Sequence, residues 1–423
     1  MTNRQNIVQS VDWITIGIFF LMILLGWLNI YAADYNPEEV TSIFDPSSKA
    51  GKQFIWIIGA VVIMMLLYYV DYKLLDTLAY ALFGFTVFLL LAVLIVGTEK
   101  NGARSWFDLG FISLQPSEFA KIATCMALCR FLSDKNPKNQ SNKFLIYGAG
   151  FLLVPITLIL MQPDTGSVLV FFSLIVVLYI NGISNGLFFS ALALLGVFIL
   201  SLVFNEVKLI VSFSVLAGIA IYFFRKRKKI VIAIFILTGA IILQILGTQF
   251  FVHKVLQPHQ RKRIEVILDP SSDPKGAGWN TIQSKIAIGS GGFTGKGFLD
   301  GNITKGDFVP EQFTDFIFCT VGEEHGFIGS FFIVALFVIL LLRLIKLAER
   351  QKSHFAHLYG YSVVAIFLFH FLINIGMALG ILPVIGIPLP FFSYGGSSLW
   401  SFTILLFIFI KLDAHRGDVL ARR

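Results

Sequence analysis

The stretch FVPEQFTDFIFCTVGEEHGFIG, residues 308–329, sets Glu311, Asp315, Glu323, Glu324 and His325 beside and inside an apolar run. An ionised carboxylate is costly in hydrocarbon, and acids inside a membrane segment mark ion pairs, proton paths or reactive sites. Whether this run spans a membrane therefore decides how its acids are read. A spanning helix needs about 20 mostly apolar residues. Runs of that kind occur at 13–31, 53–70, 74–96, 117–132, 144–161, 167–180, 187–204, 209–224, 230–251, 315–342, 357–381 and 392–411. The 423 residues are 56% hydrophobic and 14% charged, a profile of polytopic membrane proteins. The expectation is an all-α integral membrane protein of 10–12 transmembrane helices, with 12 favoured by the count of runs. The first run lacks a basic leader and a small-residue cleavage site, so it reads as a retained span.

The distribution of cations fits that count. Lys135, Lys138 and Lys143, the RKRKK block at 225–229, the group Arg343, Lys346, Arg350 and Lys352, and the final ARR all fall on one side if twelve spans are right. By the positive-inside rule that side is cytoplasmic, and both termini lie there. The net charge of +8 is explained by membrane lipids and orientation, without nucleic acid. Cys125, Cys129 and Cys319 lie in apolar segments at spacings that suggest packing, not metal binding. Two external loops stand out, 97–116 and 252–314, the second with 63 residues, where short interfacial helices are expected.

Several polar motifs border this apolar frame. GSGGFTGKG, residues 289–297, departs from both the Walker and dinucleotide spacings, so no nucleotide cofactor is expected. It reads either as a set of tight turns or as an anion cradle carrying Lys285 and Lys296. In NGARSWFDLGFISLQPSEFAK, residues 101–121, Pro116 suits a first helical turn, and Glu118 and Lys121 share a face as an ion pair. Trp106 fits an interfacial belt or a stacking surface for a sugar. Asp164 in QPDTGS suits an N-cap, and LPVIGIPLPFFSYGGSS, residues 382–398, suits the irregular wall of a pocket. Asp315 opens a span at the outer face, beside Thr314, and caps it or works from it. Glu323 and Glu324 lie about two turns deeper, where they must pair, face the interior or stay protonated. Acid–base chemistry on a lipid-borne substrate and a proton path in a transporter both remain open on these residues.

Taken together, GARSWF…LQPSEFAK, QPDTG, GAGWNTIQSKIAIGSGGFTGKG, VPEQFTDFIF…GEEHG and LPVIGIPLPFFSYGGSS resemble the SEDS family, the shape, elongation, division and sporulation proteins, and within it the RodA elongation branch. The resemblance implies a peptidoglycan glycosyltransferase of the bacterial cytoplasmic membrane that joins lipid II units and releases undecaprenyl pyrophosphate. It implies Asp315 as general base and a class B penicillin-binding protein as partner. With it come a divalent cation, Mg or Mn, near Asp315 and a substrate site drawing on Arg104, Trp106, Gln115, Glu118, Lys121, Asp164, Lys285, Glu324 and Ser397. The alternatives are a lipid II flippase and a non-catalytic scaffold. Two departures matter. The family usually has fewer spans, so 187–251 is expected to hold an extra transmembrane hairpin in the single membrane domain 1–423. The residue before Thr314 is often His in relatives and is Phe313 here, which makes an acid–base role for that position doubtful.

Overall fold

The computed structural model describes residues 11–35, 42–100, 102–108, 110, 112–134, 142–182, 204–250, 277–305, 309 and 311–417, with parts of 186–201. The HQRKR stretch, much of the run 187–204 and the final ARR lie outside the described residues. In chain order the elements are α1 (Trp13–Ala33), α2 (Lys49–Tyr69), α3 (Tyr72–Thr77), α4 (Ala79–Val96), β1 (Thr98–Lys100), β2 (Ala103–Asp108), β3 (Ser113–Leu114), α5 (Pro116–Ser133), α6 (Asn142–Leu160), α7 (Thr165–Phe172) and α8 (Ile175–Ile180). Then follow α9 (Glu206–Phe224), α10 (Lys228–Phe250), α11 (Ala277–Ser290), α12 (Asn302–Lys305), α13 (Ile317–Glu349), α14 (His354–Ala378) and α15 (Gly396–Ala414). Among the described residues, 8 of these helices are long and apolar enough to cross a membrane, and the chain is a multi-pass membrane protein.

Contacts divide the chain into two units, Met1–Gly182 with Ile282–Arg423, and Ile183–Thr281. The second unit holds the hairpin of α9 and α10 around the RKRKK turn. Asn205 caps α9 by accepting from the Val207 N–H at 3.0 Å, and Val197, Leu209 and Ile245 form a small buried core. Most other side chains of the pair face outward and are apolar, as lipid contact requires.

In the first unit, the external loop 97–116 is not irregular throughout: β1, β2 and β3 make a small antiparallel sheet in sequence order. The expected run 315–342 is longer than its apolar core, reaching Glu349, so Arg343 and Lys346 lie in the last turns of α13 and not in a connecting loop. Arg343 Nε donates to Asp12, the N-cap of α1, at 3.1 Å. Burial pushes the Asp12 carboxyl up, but hydrogen bonds from Arg343 and Thr15 outweigh it and leave it below its ordinary value. At the same end Arg350 grips the buried Asp413 of α15 through two bonds of 2.8 and 2.5 Å.

The feature that shapes the site is a break in α13. Gly326 takes φ 62° and ψ −154°, a conformation essentially reserved for glycine. Such a break strands backbone groups that hydrocarbon cannot satisfy. The Gly-rich loop after α11 satisfies them: Lys296 N–H donates to Glu323 O and Gly297 N–H to Glu324 O, both at 3.0 Å. In return Phe327 N–H donates to Gly292 O at 2.9 Å and Ile328 N–H to Phe293 O at 3.2 Å. Backbone must approach backbone for this, and a Cβ on Gly291 would lie 1.9 Å from Gly322 O. The anion-cradle reading of this loop is thereby corrected: its amides at 295, 296 and 297 are already spent on carbonyls.

Gly295 has φ +82°, and a Cβ there would lie 2.1 Å from Glu324 O. Gly295→Ala should therefore destabilise the protein by roughly 2–4 kcal/mol. Gly289, in α11 with nothing near a built Cβ, should instead tolerate Ala or gain about 0.5–1 kcal/mol. Thermal unfolding of the two variants in detergent checks the opposite signs.

Candidate active site

Asp315 lies in the turn that leads into α13 and is half-buried. Three hydrogen bonds, to the carbonyls of 313, 314 and 315, fix the turn around it, and a fourth joins the same Asn374 to the facing segment. Asn374, buried on α14, donates from Nδ2 to Asp315 O at 2.9 Å and to Ile387 O at 2.8 Å. Ser393 Oγ donates to Thr314 O at 2.5 Å, and Tyr394 N–H to Phe313 O at 2.8 Å. The FTDF and LPFFSY stretches are thus sewn together, by one backbone bond and by the side chains of Ser393 and Asn374, which would otherwise be unsatisfied. The carboxylate reaches the far strand of this seam: a Cβ on Gly386, at φ +82°, would sit 3.3 Å from Asp315 Oδ2. The amino end of α7 packs on the same point, since a Cβ on Gly166 would lie 3.0 Å from Ile385 O.

Beside that seam the expected residues Gln115, Asp164 and Ser397 come together. Asp164 caps α7 by accepting from Ser167 N–H at 3.0 Å, and it accepts from Gln115 Nε2 at 2.9 Å. Ser397 Oγ donates to Ser113 O at 2.8 Å and accepts from Gln115 N–H at 3.3 Å. This small network ties the first turns of α5, α7 and α15 into one platform.

Glu118 and Lys121 lie below it, only 5% and 3% exposed. Lys121 Nζ donates to both Glu118 oxygens at 2.9 Å and to His370 Nε2 at 3.2 Å, while Ser401 Oγ donates to Glu118 at 2.8 Å. His370 Nδ1 faces Pro388 O at 3.0 Å. A nitrogen facing a carbonyl must donate and one facing an ammonium must accept, so the ring is neutral with its proton on Nδ1. Every charged atom of Glu118 and Lys121, both expected at the substrate site, is engaged and enclosed in this structure. They act on the 386–394 segment through His370.

Glu323 and Glu324 separate cleanly. The Glu323 carboxylate, 0% exposed, accepts from Lys296 Nζ at 2.7 Å, Ile303 N–H at 3.0 Å and Thr304 N–H at 2.9 Å. It therefore binds the Gly-rich loop and the first amides of α12 to α13. Glu324, expected at the substrate site, is shut beneath the same loop at 1% exposure. Arg104 is exposed on β2 opposite Glu99, and Trp106 is half-buried there with its carbonyl accepting from Thr98 Oγ1 at 3.1 Å. Lys285 is exposed on α11. Among the described residues no group of three or more His, Cys, Asp or Glu side chains comes together.

The sequence reading missed His370, Asn374 and Ser401. The signal was available: two polar residues four apart in an apolar run, 370 and 374, share a helix face and need buried partners. It also missed an apolar cavity of about 500 Å³ between α4, α5 and α15, lined by Phe85, Phe107, Leu114, Phe119, Met126 and Ile408. Its upper lining residue Leu114 directly precedes Gln115 of the polar platform.

Comparison with known proteins gives a consistent picture. The FtsW/RodA/SpoVE family model, described as cell cycle protein, matches residues 12–216 and 208–418. The chain is 34% identical to the peptidoglycan glycosyltransferase MrdB of Escherichia coli over 98% of both chains. It is 31% identical to the peptidoglycan glycosyltransferase RodA of Treponema pallidum over 97% of this chain and 99% of that one. Among solved structures, a chain from a peptidoglycan synthase complex described as coordinating polymerization and crosslinking superposes with a TM-score of 0.70 at 27% identity, covering 96% of this chain and 98% of that chain. The rod shape-determining protein RodA of Thermus thermophilus gives 0.62 at 25% identity, covering 96% and 98%.

Removing one member of the enclosed pair leaves a buried charge without its partner. Lys121→Met alone should lower stability by about 3–5 kcal/mol, and the double variant Glu118→Leu with Lys121→Met should recover much of that loss. Melting curves of the three proteins in detergent check the non-additivity.

Proposed function

This chain belongs to the FtsW/RodA/SpoVE family, the SEDS proteins, and we propose that it polymerises lipid II into glycan strands with Asp315 as general base. In this reading the Asp315 carboxylate takes the proton from the 4-hydroxyl of the acceptor GlcNAc. The freed oxygen attacks the anomeric carbon of the donor MurNAc, and the bond from that carbon to undecaprenyl pyrophosphate breaks. The observation that carries the reading is the seam of hydrogen bonds that holds a half-buried carboxylate at the head of α13. A base must be held within hydrogen-bond reach of its proton, and the three held carbonyls of 313, 314 and 315 supply that definition.

The apolar cavity supports a lipid-borne substrate. It is lined by α4, α5 and α15 and begins next to Gln115, so a prenyl chain in it would carry its head group toward the polar platform. A divalent cation, Mg or Mn, belongs to the proposal, near Asp315, where it would neutralise the departing pyrophosphate. Arg104 and Lys285, both exposed, are proposed contacts for the phosphates and Trp106 for a sugar face. The partner is proposed to be a class B penicillin-binding protein, with both termini of this chain cytoplasmic.

Transport of lipid II is the second reading, favoured by the broken helix at Gly326 and the two acids next to it. One experiment separates the two. Purified chain with its transpeptidase partner is given lipid II and Mg²⁺ or Mn²⁺, and products are followed on gels. Glycan strands from the wild type and none from Asp315→Asn are expected. Normal polymerisation by Asp315→Asn removes Asp315 as base, and lipid II crossing liposomes without polymerisation supports transport.

A further inference from the structure

We infer that Lys49 is a positioning residue for the reaction at Asp315, acting through the ring of Phe313; the inference rests on the reading of Asp315 as base. Lys49 Nζ lies 3.3 Å from the centroid of Phe313, an ammonium seated on an aromatic face. Lys49 is also the first residue of α2, where the helix dipole disfavours a cation. Asp34, just past the end of α1, compensates: it accepts from Lys49 N–H at 2.9 Å and pairs with Nζ at 3.4 Å. The ammonium is therefore fixed between a carboxylate and a ring.

Phe313 is gripped from its other side as well. Its ring meets Tyr394 edge-on, with centroids 6.0 Å apart at 88°, and its carbonyl accepts from Tyr394 N–H. One turn further along α2, Gln53 Oε1 accepts from Gly395 N–H at 3.1 Å. Next to Phe313, the buried Gln312 donates from Nε2 to Ala33 O at 2.6 Å and to Thr304 O at 2.9 Å. The corner between α1 and α2 thus holds residues 312 and 313, and Asp315 follows two positions later in the same turn. The ring and Asp34 engage the ammonium, which assigns it to holding Phe313 in place and not to contact with substrate. Releasing Phe313 loosens the base, and a small displacement of a catalytic group is felt in rate, not in binding.

The test is steady-state polymerisation of lipid II by the full chain with its partner. Lys49→Met should lower kcat about tenfold with KM unchanged, and Phe313→Leu should do the same. The double variant should be no slower than Phe313→Leu alone, because Lys49 acts only through that ring. Lys49→Arg, which keeps a cation over the ring, should regain most of the rate. A raised KM at unchanged kcat, wild-type rates in Lys49→Met, or effects that multiply in the double variant would overturn the inference. Should Lys49→Met fail to fold in a melting assay, Phe313→Leu and Lys49→Arg carry the comparison. Asp315→Asn in the same assay guards the premise. If it is inactive while Lys49→Met is normal, only the role of Lys49 falls; if it polymerises, the assignment of the base falls first.

Discussion

A transmembrane helix that breaks must find partners for its stranded backbone groups, and the structure depends on how α13 does so at Gly326. The partner is the Gly-rich loop, which exchanges four backbone hydrogen bonds with residues 323–328. From there a chain of buried polar contacts runs toward the site. Glu323 takes the first amides of α12, Thr304 O in α12 takes the Gln312 amide, and Gln312 sits in the turn that carries Asp315. One unsatisfied backbone break thus explains the glycines, the buried Glu323 and the anchoring of the turn.

The second organising fact is the division of labour among the acids. Asp315 is half-buried at the head of a helix, with its backbone carbonyl held by Asn374. Glu118, Glu323 and Asp413 are enclosed and each meets a cation. Breaking any such pair leaves a buried charge, so these acids specify the packing around the site. His370 extends this logic, linking the Glu118–Lys121 pair to the carbonyl of Pro388 in the segment that faces Asp315.

Much of this was legible in the sequence. Apolar runs located most of the described long helices, because hydrocarbon admits few alternatives. Asp164 as a cap and the Glu118–Lys121 pair follow from local spacing, which side-chain reach determines. The rest depended on contacts between distant segments. The Gly-rich loop read as turns or an anion cradle because its true partner, the carbonyls of 323 and 324, lies in another helix. The small sheet of 98–114 has too few residues to show a periodicity. Lys49 carries no motif in the sequence, and nothing near it in the chain points to Phe313. His370 and Asn374 were the exceptions, polar residues on one face of an apolar helix whose meaning could have been read.

The central claim is that Asp315 contacts the attacking hydroxyl of a lipid-linked sugar. The most direct measurement is the structure of the Asp315→Asn chain with its partner and bound lipid II. The account predicts an acceptor sugar whose hydroxyl lies about 3 Å from the residue 315 side chain, with a prenyl chain in the cavity lined by Phe85, Phe119 and Ile408. A sugar bound elsewhere, with residue 315 touching only protein, would contradict it.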